Sequence, residues 1–420
     1  MEVMDLHSVS AGFCVRRHVA YRKYTYRLAV VRNWDLWESV QEHPTTACFS
    51  EKDYSWRLPP GFSPEKAADA SRLFIGWYDG SRFPEMAAGG TGFGVVDMLY
   101  QTISDCLFGA RPFVNPLHET LKLSPSSSLM ITHRTDAGVH ALRNALICQV
   151  PLEYANLDST SENKCSFLRK LNTSVREFAP DAMEVMDLHG VSAGFCVRRH
   201  VAYRKYTYRL AVVRNWDLWE SVQEHPTTAC FSEKDYSWRL PPGFSPEKAA
   251  DASRLFIGCI LADISEPMTF PGEHVMGSFF KHTKREKRRE PRPPSAVRNI
   301  LLCQLSKGGP YSMENNIYDY YNVTVVARSF VREQIRRMLS CLVFRGYDRL
   351  SLETIRWLLR NPISTNFYDL RIPIAPPQGL FLTEVVYPPE MFTNPFPYYR
   401  HAWDYPKAED VLFDEDTSSS

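Results

Sequence analysis

The 420-residue chain is short of several things, and each shortage removes a class of protein. No apolar run reaches the ~18–20 residues that a membrane-spanning helix needs. No apolar segment follows the N-terminus, where Glu2 and Asp5 come early, so a secretory leader is not expected and the choice between cytoplasm and mitochondrion stays open. Glycine is only 20 of 420 residues, which excludes a collagen-like chain. No charge sign dominates: 49 Lys and Arg against 48 Asp and Glu leave a net +1, and 44% hydrophobic content excludes a wholly disordered chain. The ten cysteines form no CxxC pair and no tight Cys/His cluster, a pattern of free thiols in a reducing compartment rather than of a disulfide framework or a zinc site.

What is present is first of all a repeat. Residues 1–76 match residues 183–258 at an offset of 182, and only Ser8 against Gly190 differs. Solenoid repeats diverge at exposed positions, whereas here even Lys, Glu and Asp are unchanged, so a recent duplication or an error in assembling the gene explains the identity better than a repeat fold does. Charge is local. Residues 281–298 hold eight Lys or Arg against two Glu, and their prolines predict an exposed loop. Residues 401–420 hold six acids against Lys407, and the stretch 389–420 reads as a disordered acidic tail.

Periodicity predicts a helix over 94–107 and an alternating strand over 200–213, with Ala202, Arg204, Tyr206, Tyr208 and Leu210 on one face. Ser245-Pro246-Glu247 opens a helix, 322–329 is a strand, 330–344 a helix, and Ser351 caps another. Half-polar strands interleaved with helices favour an α+β fold with a mainly antiparallel sheet over a doubly wound parallel one.

The densest polar cluster is His133-Arg134-Thr135-Asp136-Ala137-Gly138-Val139-His140, set between apolar flanks. On residue types alone, a structural turn with Gly138 at positive φ is the better account of it. A metal site on His133, Asp136 and His140 is a weaker one, because no second shell is evident. Gly89, Gly90, Gly92 and Gly94 do not complete a phosphate-loop pattern and read as a loop. Arg198, Arg204, Tyr206, Arg332, Arg336 and the basic loop each fit a solvated surface, and together they fit a phosphate-binding face with aromatics for stacking.

Five ordered segments then resemble the TruA-type tRNA pseudouridine synthase family, nearest its animal synthase-like branch. They are Tyr78-Asp79-Gly80-Ser81-Arg82-Phe83, Arg134 to Ala141, Phe195-Cys196-Val197-Arg198 with Arg204 to Tyr208, Phe330 to Met338, and Ala375 to Leu382. The resemblance covers roughly 72–388 and selects the copy at 183–258, because that copy lies between the Asp segment and the third motif. It implies four parts: a duplicate at 1–71 (matching 183–253) outside the core, an N-terminal half at 72–182, a C-terminal half at 183–388, and the tail. It further implies a central mainly antiparallel sheet flanked by helices, two similar halves and a cleft between them.

The implied activity is isomerisation of uridine to pseudouridine in tRNA, with Asp136 as catalytic carboxylate, Arg336 as its charge partner and Tyr206 stacked on the base. Arg134, Arg198, Tyr208, Lys284, Arg285, Lys287 and Arg288 would hold substrate. No cofactor or metal is implied and no membrane partner; tRNA is the partner, and a homodimer is open. The sequence departs from the family at 259–276, where a Gly-His-Asp-Phe segment is expected, at Cys196, where His is common, and at the first turn, which lacks Gly-Trp-Gln. A non-catalytic RNA-binding protein and a metal-dependent hydrolase are the alternatives.

Overall fold

The computed structural model describes residues 28–30, 56–58, 70–86, 93–108, 129–131, 135–150, 156–192, 194–224, 233–257, 273–281, 296–310 and 316–399. The chain divides into two compact units, 1–68 and 69–420. In the first, β1 (Leu28–Val30) pairs in parallel with β2 (Trp56–Leu58).

The second unit holds every other element: β3 (Ala70–Tyr78), α1 (Val95–Phe108), β4 (Leu129–Ile131), β5 (His140–Val150), α2 (Ser161–Phe178), β6 (Met183–Val191), β7 (Tyr203–Val213), α3 (Trp216–Glu224), β8 (Trp238–Leu240), α4 (Pro246–Arg254), β9 (Glu273–Val275), β10 (Val297–Lys307), β11 (Tyr318–Ala327), α5 (Gln334–Gly346), α6 (Leu352–Arg360), α7 (Asn366–Asp369), β12 (Leu380–Val386) and α8 (Glu390–Thr393). Ten strands form one sheet in the order β6-β3-β5-β12-β7-β11-β10-β9, with β4 added to β5 and β8 to β7. Only β5–β12 and β7–β8 are parallel; the other pairings are antiparallel, as expected of an α+β fold.

β7 shows why this sequence makes this sheet. Its alternation puts Arg204, Tyr206, Tyr208 and Leu210 on the buried face and Tyr203, Lys205, Thr207 and Arg209 on the half-exposed one. β12 sits between β7 and β5, so Leu382 is flanked by Tyr206 on one side and Ala141 on the other. At ~4.8 Å per strand spacing this places the start of β5 about 10 Å from Tyr206. Helices α4 and α5 pack on each other and cover β7, β10 and β11. α5 buries Ile335, Met338, Leu339 and Leu342, each contributing ~1.5–3 kcal/mol. Helices α1 and α2 cover β3, β5 and β6 through Ile103, Leu171, Phe74 and Leu146.

Ser245 and Ser351 cap α4 and α6 as expected, each accepting from the backbone N–H three residues on. α5 begins at Gln334, four residues later than its pattern predicts. Glu333 takes a left-handed φ of 61° and stops the helix from extending backwards, while Lys281 and Arg337 both hold its carboxylate.

The duplication has a conformational outcome. Ala70-Ser-Arg-Leu-Phe-Ile75 is strand in β3, yet the identical Ala252-Ser-Arg-Leu-Phe-Ile257 ends α4 and closes in a 3-10 turn. In β3, Leu73 and Phe74 enter separate clusters on opposite faces of the sheet; in the second copy, Leu255 and Phe256 enter one common core. Tertiary burial, not the local sequence, selects the conformation.

Parts of two further segments are described: residues 273–276 of the departure at 259–276, and residues 389–399 of the expected tail. Within 259–276, β9 pairs with β10 and Met276 is buried, and Phe279 and Phe280 follow it into the core. Of the expected tail, residues 389–399 pack on the 192–200 loop. Ser192 donates to Phe392 O at 2.8 Å, Tyr399 to Gly194 O at 3.0 Å, and His200 Nε2 lies 2.8 Å from Pro397 O. Aromatic packing supplies the reason: Phe392 meets Phe195 edge-on at 63° and lies tilted at 48° to Tyr387. Residues 400–420 and most of the basic loop lie outside the described residues.

Candidate active site

Asp136 lies in the turn that feeds β5. The turn closes through Val139 N–H to Asp136 O at 3.1 Å, and Gly138 takes φ +77°, where a side chain would be strained and would press on Pro377. Gly80 approaches so closely that a Cβ there would lie 2.1 Å from Val139 O. Tyr78, at the end of β3, shares a 2.8 Å hydrogen bond with Thr135 Oγ1; burial pushes its phenol up to about 12, so it stays neutral.

Beneath the turn, His140 is a buried pillar. Its Nε2 faces two carbonyl oxygens, Asp235 O at 2.8 Å and Gln378 O at 3.1 Å, so it carries a proton. Its Nδ1 lies 3.1 Å from Gly80 N and 3.0 Å from Asp79 Oδ1. Both ring nitrogens are engaged within the fold, which leaves none to offer a metal and removes a ligand from the hydrolase alternative. Burial raises the Asp79 carboxyl, and hydrogen bonds from His140, Tyr236 and Ser81 more than reverse this, holding it far below the usual carboxylate range. Behind the turn, Gly138, Ser81, Trp238 and Gln378 help line a cleft of about 580 Å³.

The charge partner of Asp136 comes from α5. Arg336 Nη1 donates to Asp136 Oδ2 at 3.0 Å, and Arg336 Nε donates to Ala375 O at 2.7 Å. The same residue is tied back: Ala375 N–H donates to Ser340 Oγ at 2.7 Å, and Ser340 Oγ donates to Arg336 O at 3.0 Å. One helical turn of α5 thus fixes both the guanidinium and the loop before β12. The carboxylate is 28% exposed and the guanidinium 16%, so the pair is open to a ligand on one side.

Tyr206, on the buried face of β7, is 3% exposed and meets Phe330 edge-on at 5.3 Å. Burial raises its phenol well above the usual range, and the charges of Arg204 and Asp136 both act on it. Tyr208 is fully buried, and its hydroxyl donates to Pro376 O at 2.7 Å; its place is a strut under the 375–379 loop rather than an open face. Arg198 is exposed at the loop before β7. Arg134, His133, Lys284, Arg285, Lys287 and Arg288 lie outside the described residues.

Sequence reasoning passed over Arg337, which looks like one more surface arginine beside Arg336. It is fully buried, binds Glu333, Ser278 O and Tyr368, and lies over the Phe367 and Tyr368 rings. The available signal was Glu333 at i−4. Asp79 and Tyr236, joined at 2.7 Å across 157 residues, had no signal of that kind.

A profile described as tRNA pseudouridine synthase matches residues 268–388, which includes β9, Ser278, Arg336 and Ala375. The chain is similar to "tRNA pseudouridine synthase-like 1" of Xenopus laevis, at 23% identity over 68% of this chain and 84% of that protein. It is similar to the human protein of the same name at 25% over 66% and 81%. To "tRNA pseudouridine synthase A" of Methylacidiphilum infernorum the identity is 25% over 61% and 78%.

Proposed function

We propose, on the premise that this chain belongs to the TruA-type tRNA pseudouridine synthase family and is an isomerase of that class, that Asp136 is its catalytic carboxylate. The observation that carries the proposal is the Asp136–Arg336 ion pair, built by a turn and a helix 200 residues apart.

The reaction breaks the uridine N1–C1′ bond, turns the base and joins C5 to C1′; N1 gains a proton and C5 loses one. Nothing is oxidised or hydrolysed on balance, so the chemistry asks for a charge at the sugar rather than for a redox or hydrolytic group. An ionised carboxylate serves as nucleophile or electrostatic stabiliser of such a centre. Arg336 donates to the carboxylate and, with Nε anchored on Ala375 O, aims it. Tyr206 provides a neutral aromatic face for the base beside Phe330. Arg134, two residues before Asp136, fills the space that the extruded nucleotide leaves; extrusion costs a few kcal/mol, less in a tRNA loop. Lys284, Arg285, Lys287, Arg288 and Arg198 contribute phosphate attraction.

The test is tritium release from C5 of labelled uridine in tRNA. Asp136→Asn should keep tRNA affinity within about threefold and release no tritium. Substantial turnover in that variant would refute the assignment, and loss of binding with normal turnover per bound tRNA would favour a purely binding role for Asp136.

A further inference from the structure

Arg204 is 2% exposed, yet no carboxylate among the described residues lies within ion-pair distance of it. Its Nη1 donates to the backbone carbonyl of Arg328, and its Nε has no partner. A buried cation without a counter-charge costs several kcal/mol. Two more guanidinium groups are placed by the same local structure. Arg328 Nη2 donates to Arg199 O at 2.8 Å, which holds the exposed Arg328 side chain against the 196–200 loop. Arg199 lies over the Tyr399 ring at 4.9 Å, on the segment that clasps this loop. Among the described residues, neither Arg199 nor Arg328 is ion-paired to a carboxylate.

Burial lowers the affinity of Arg204 for its proton, and the neighbouring Arg198 and Arg328 charges add to this. The place also matters: Arg204 and Tyr206 are alternate residues on the buried face of β7, about 7 Å apart along the strand. On β12, Leu382 faces both Tyr206 and Ala141 at the start of β5, whereas Val385 faces Arg204, so Arg204 lies farther along the strand from the turn that feeds β5.

We infer that Arg199 and Arg328 bind a phosphodiester of the RNA next to the target uridine, with Arg204 as a buried positioning charge behind them. The inference rests on the reading of the chain as a tRNA isomerase. Arg328 and Arg199 touch the phosphate oxygens; Arg204 holds the Arg328 backbone and adds its unneutralised field in a low-dielectric place, where it acts more strongly than a solvated lysine. This gives the enzyme a hold on the sugar–phosphate chain that does not depend on the identity of the base.

Equilibrium binding of tRNA across 50–300 mM salt and steady-state tritium release test it together on the full chain. Arg328→Gln should raise KM about tenfold, as expected for one lost charge-assisted contact, and change kcat less than twofold. Its binding should lose ~0.7 from the salt slope. Arg254→Gln, on an exposed residue of α4, should leave the slope as in the parent protein. Arg204→Met should shift KM in the same direction as Arg328→Gln, and Arg204→Lys should recover part of the loss. An unchanged slope and KM in Arg328→Gln, in a protein that turns over normally, overturns the inference. Parent protein that binds tRNA with the expected slope difference but releases no tritium would leave the phosphate site standing and overturn the isomerase reading instead.

Discussion

Arg336 meets Asp136 through one guanidinium nitrogen and holds Ala375 through another, so the ion pair and the loop before β12 share a single side chain. The pair joins the first nitrogen to a turn from one part of the sheet and the second to a loop from another. Its geometry is therefore set by both.

Replacing Arg336 tests this directly. Arg336→Met should abolish isomerisation and cost about 2 kcal/mol, between the values of exposed and fully buried pairs because both groups are partly open. Arg332→Met, four residues earlier in the turn before α5 and exposed, should be close to neutral in both respects. Urea denaturation and tritium release distinguish them; equal losses in the two variants would place the partner of Asp136 elsewhere.

The Asp79 carboxylate predicts a pH signature. Its folded-state pKa is depressed, so its contribution is complete above the unfolded value near ~3.9 and fades as pH falls towards the folded value. Asp79→Asn should cost about 2 kcal/mol at pH 7, and the difference from the parent should shrink below about pH 4. Denaturation curves at pH 7, 5 and 3.5 check the trend; a difference that grows with acidity would contradict it.

The single position at which the two copies differ sits in a demanding place. Gly190 N–H donates to Asp158 Oδ2, and Arg72 Nε lies 2.9 Å from the other oxygen of that carboxylate. A Cβ at Gly190 would come within 2.9 Å of Asp158 Oδ2 and 3.4 Å of Arg72 Nη1. Gly190→Ser, which gives the second copy the residue of the first, should destabilise by about 1 kcal/mol by turning Asp158 off Arg72. In an Asp158→Ala background the same change should cost much less, a non-additivity that a double-mutant cycle measures.

The boundary between the two units predicts where the chain can be cut. A protein beginning at Asp69 should fold, keep activity and resist proteolysis at least as well as the full chain. One beginning at Trp77 should not, because β3 pairs with β5 and β6 along its length and residues 70–76 would be gone. In the full chain, Tyr206→Leu should lose activity and Tyr24→Leu should keep it.

Much of this site was legible. Alternation over 200–213 grouped Arg204, Tyr206, Tyr208 and Leu210 on one face of β7 without telling which face is buried, and the cap serines of α4 and α6 were visible because capping is local chemistry. The meeting of Asp136 with Arg336 was reached through family resemblance rather than spacing, since a contact spanning 200 residues leaves no periodic trace. The depth of Tyr208 and Arg337 was not legible: a tyrosine or arginine in an amphipathic element reads as surface until the layer above it is known. The docking of 389–399 was hidden for the opposite reason, as Pro and acidic neighbours masked Phe392 and Tyr399.

The six residues that are strand at 70–75 and helix end at 252–257 give one peptide two structural meanings within a single chain. Gene conversion between the copies would therefore carry each new substitution into two unlike environments. A proline accepted at Ile257, at the close of a helical turn, would be transferred to Ile75, where it removes a ladder donor between two strand partners. Glycine in place of Phe256 would open one core, and in place of Phe74 another. Each copy thus restrains the drift of the other over this stretch. The sequences part just beyond it, where β3 continues through Trp77 and Tyr78 and the second copy has Cys259 and Ile260.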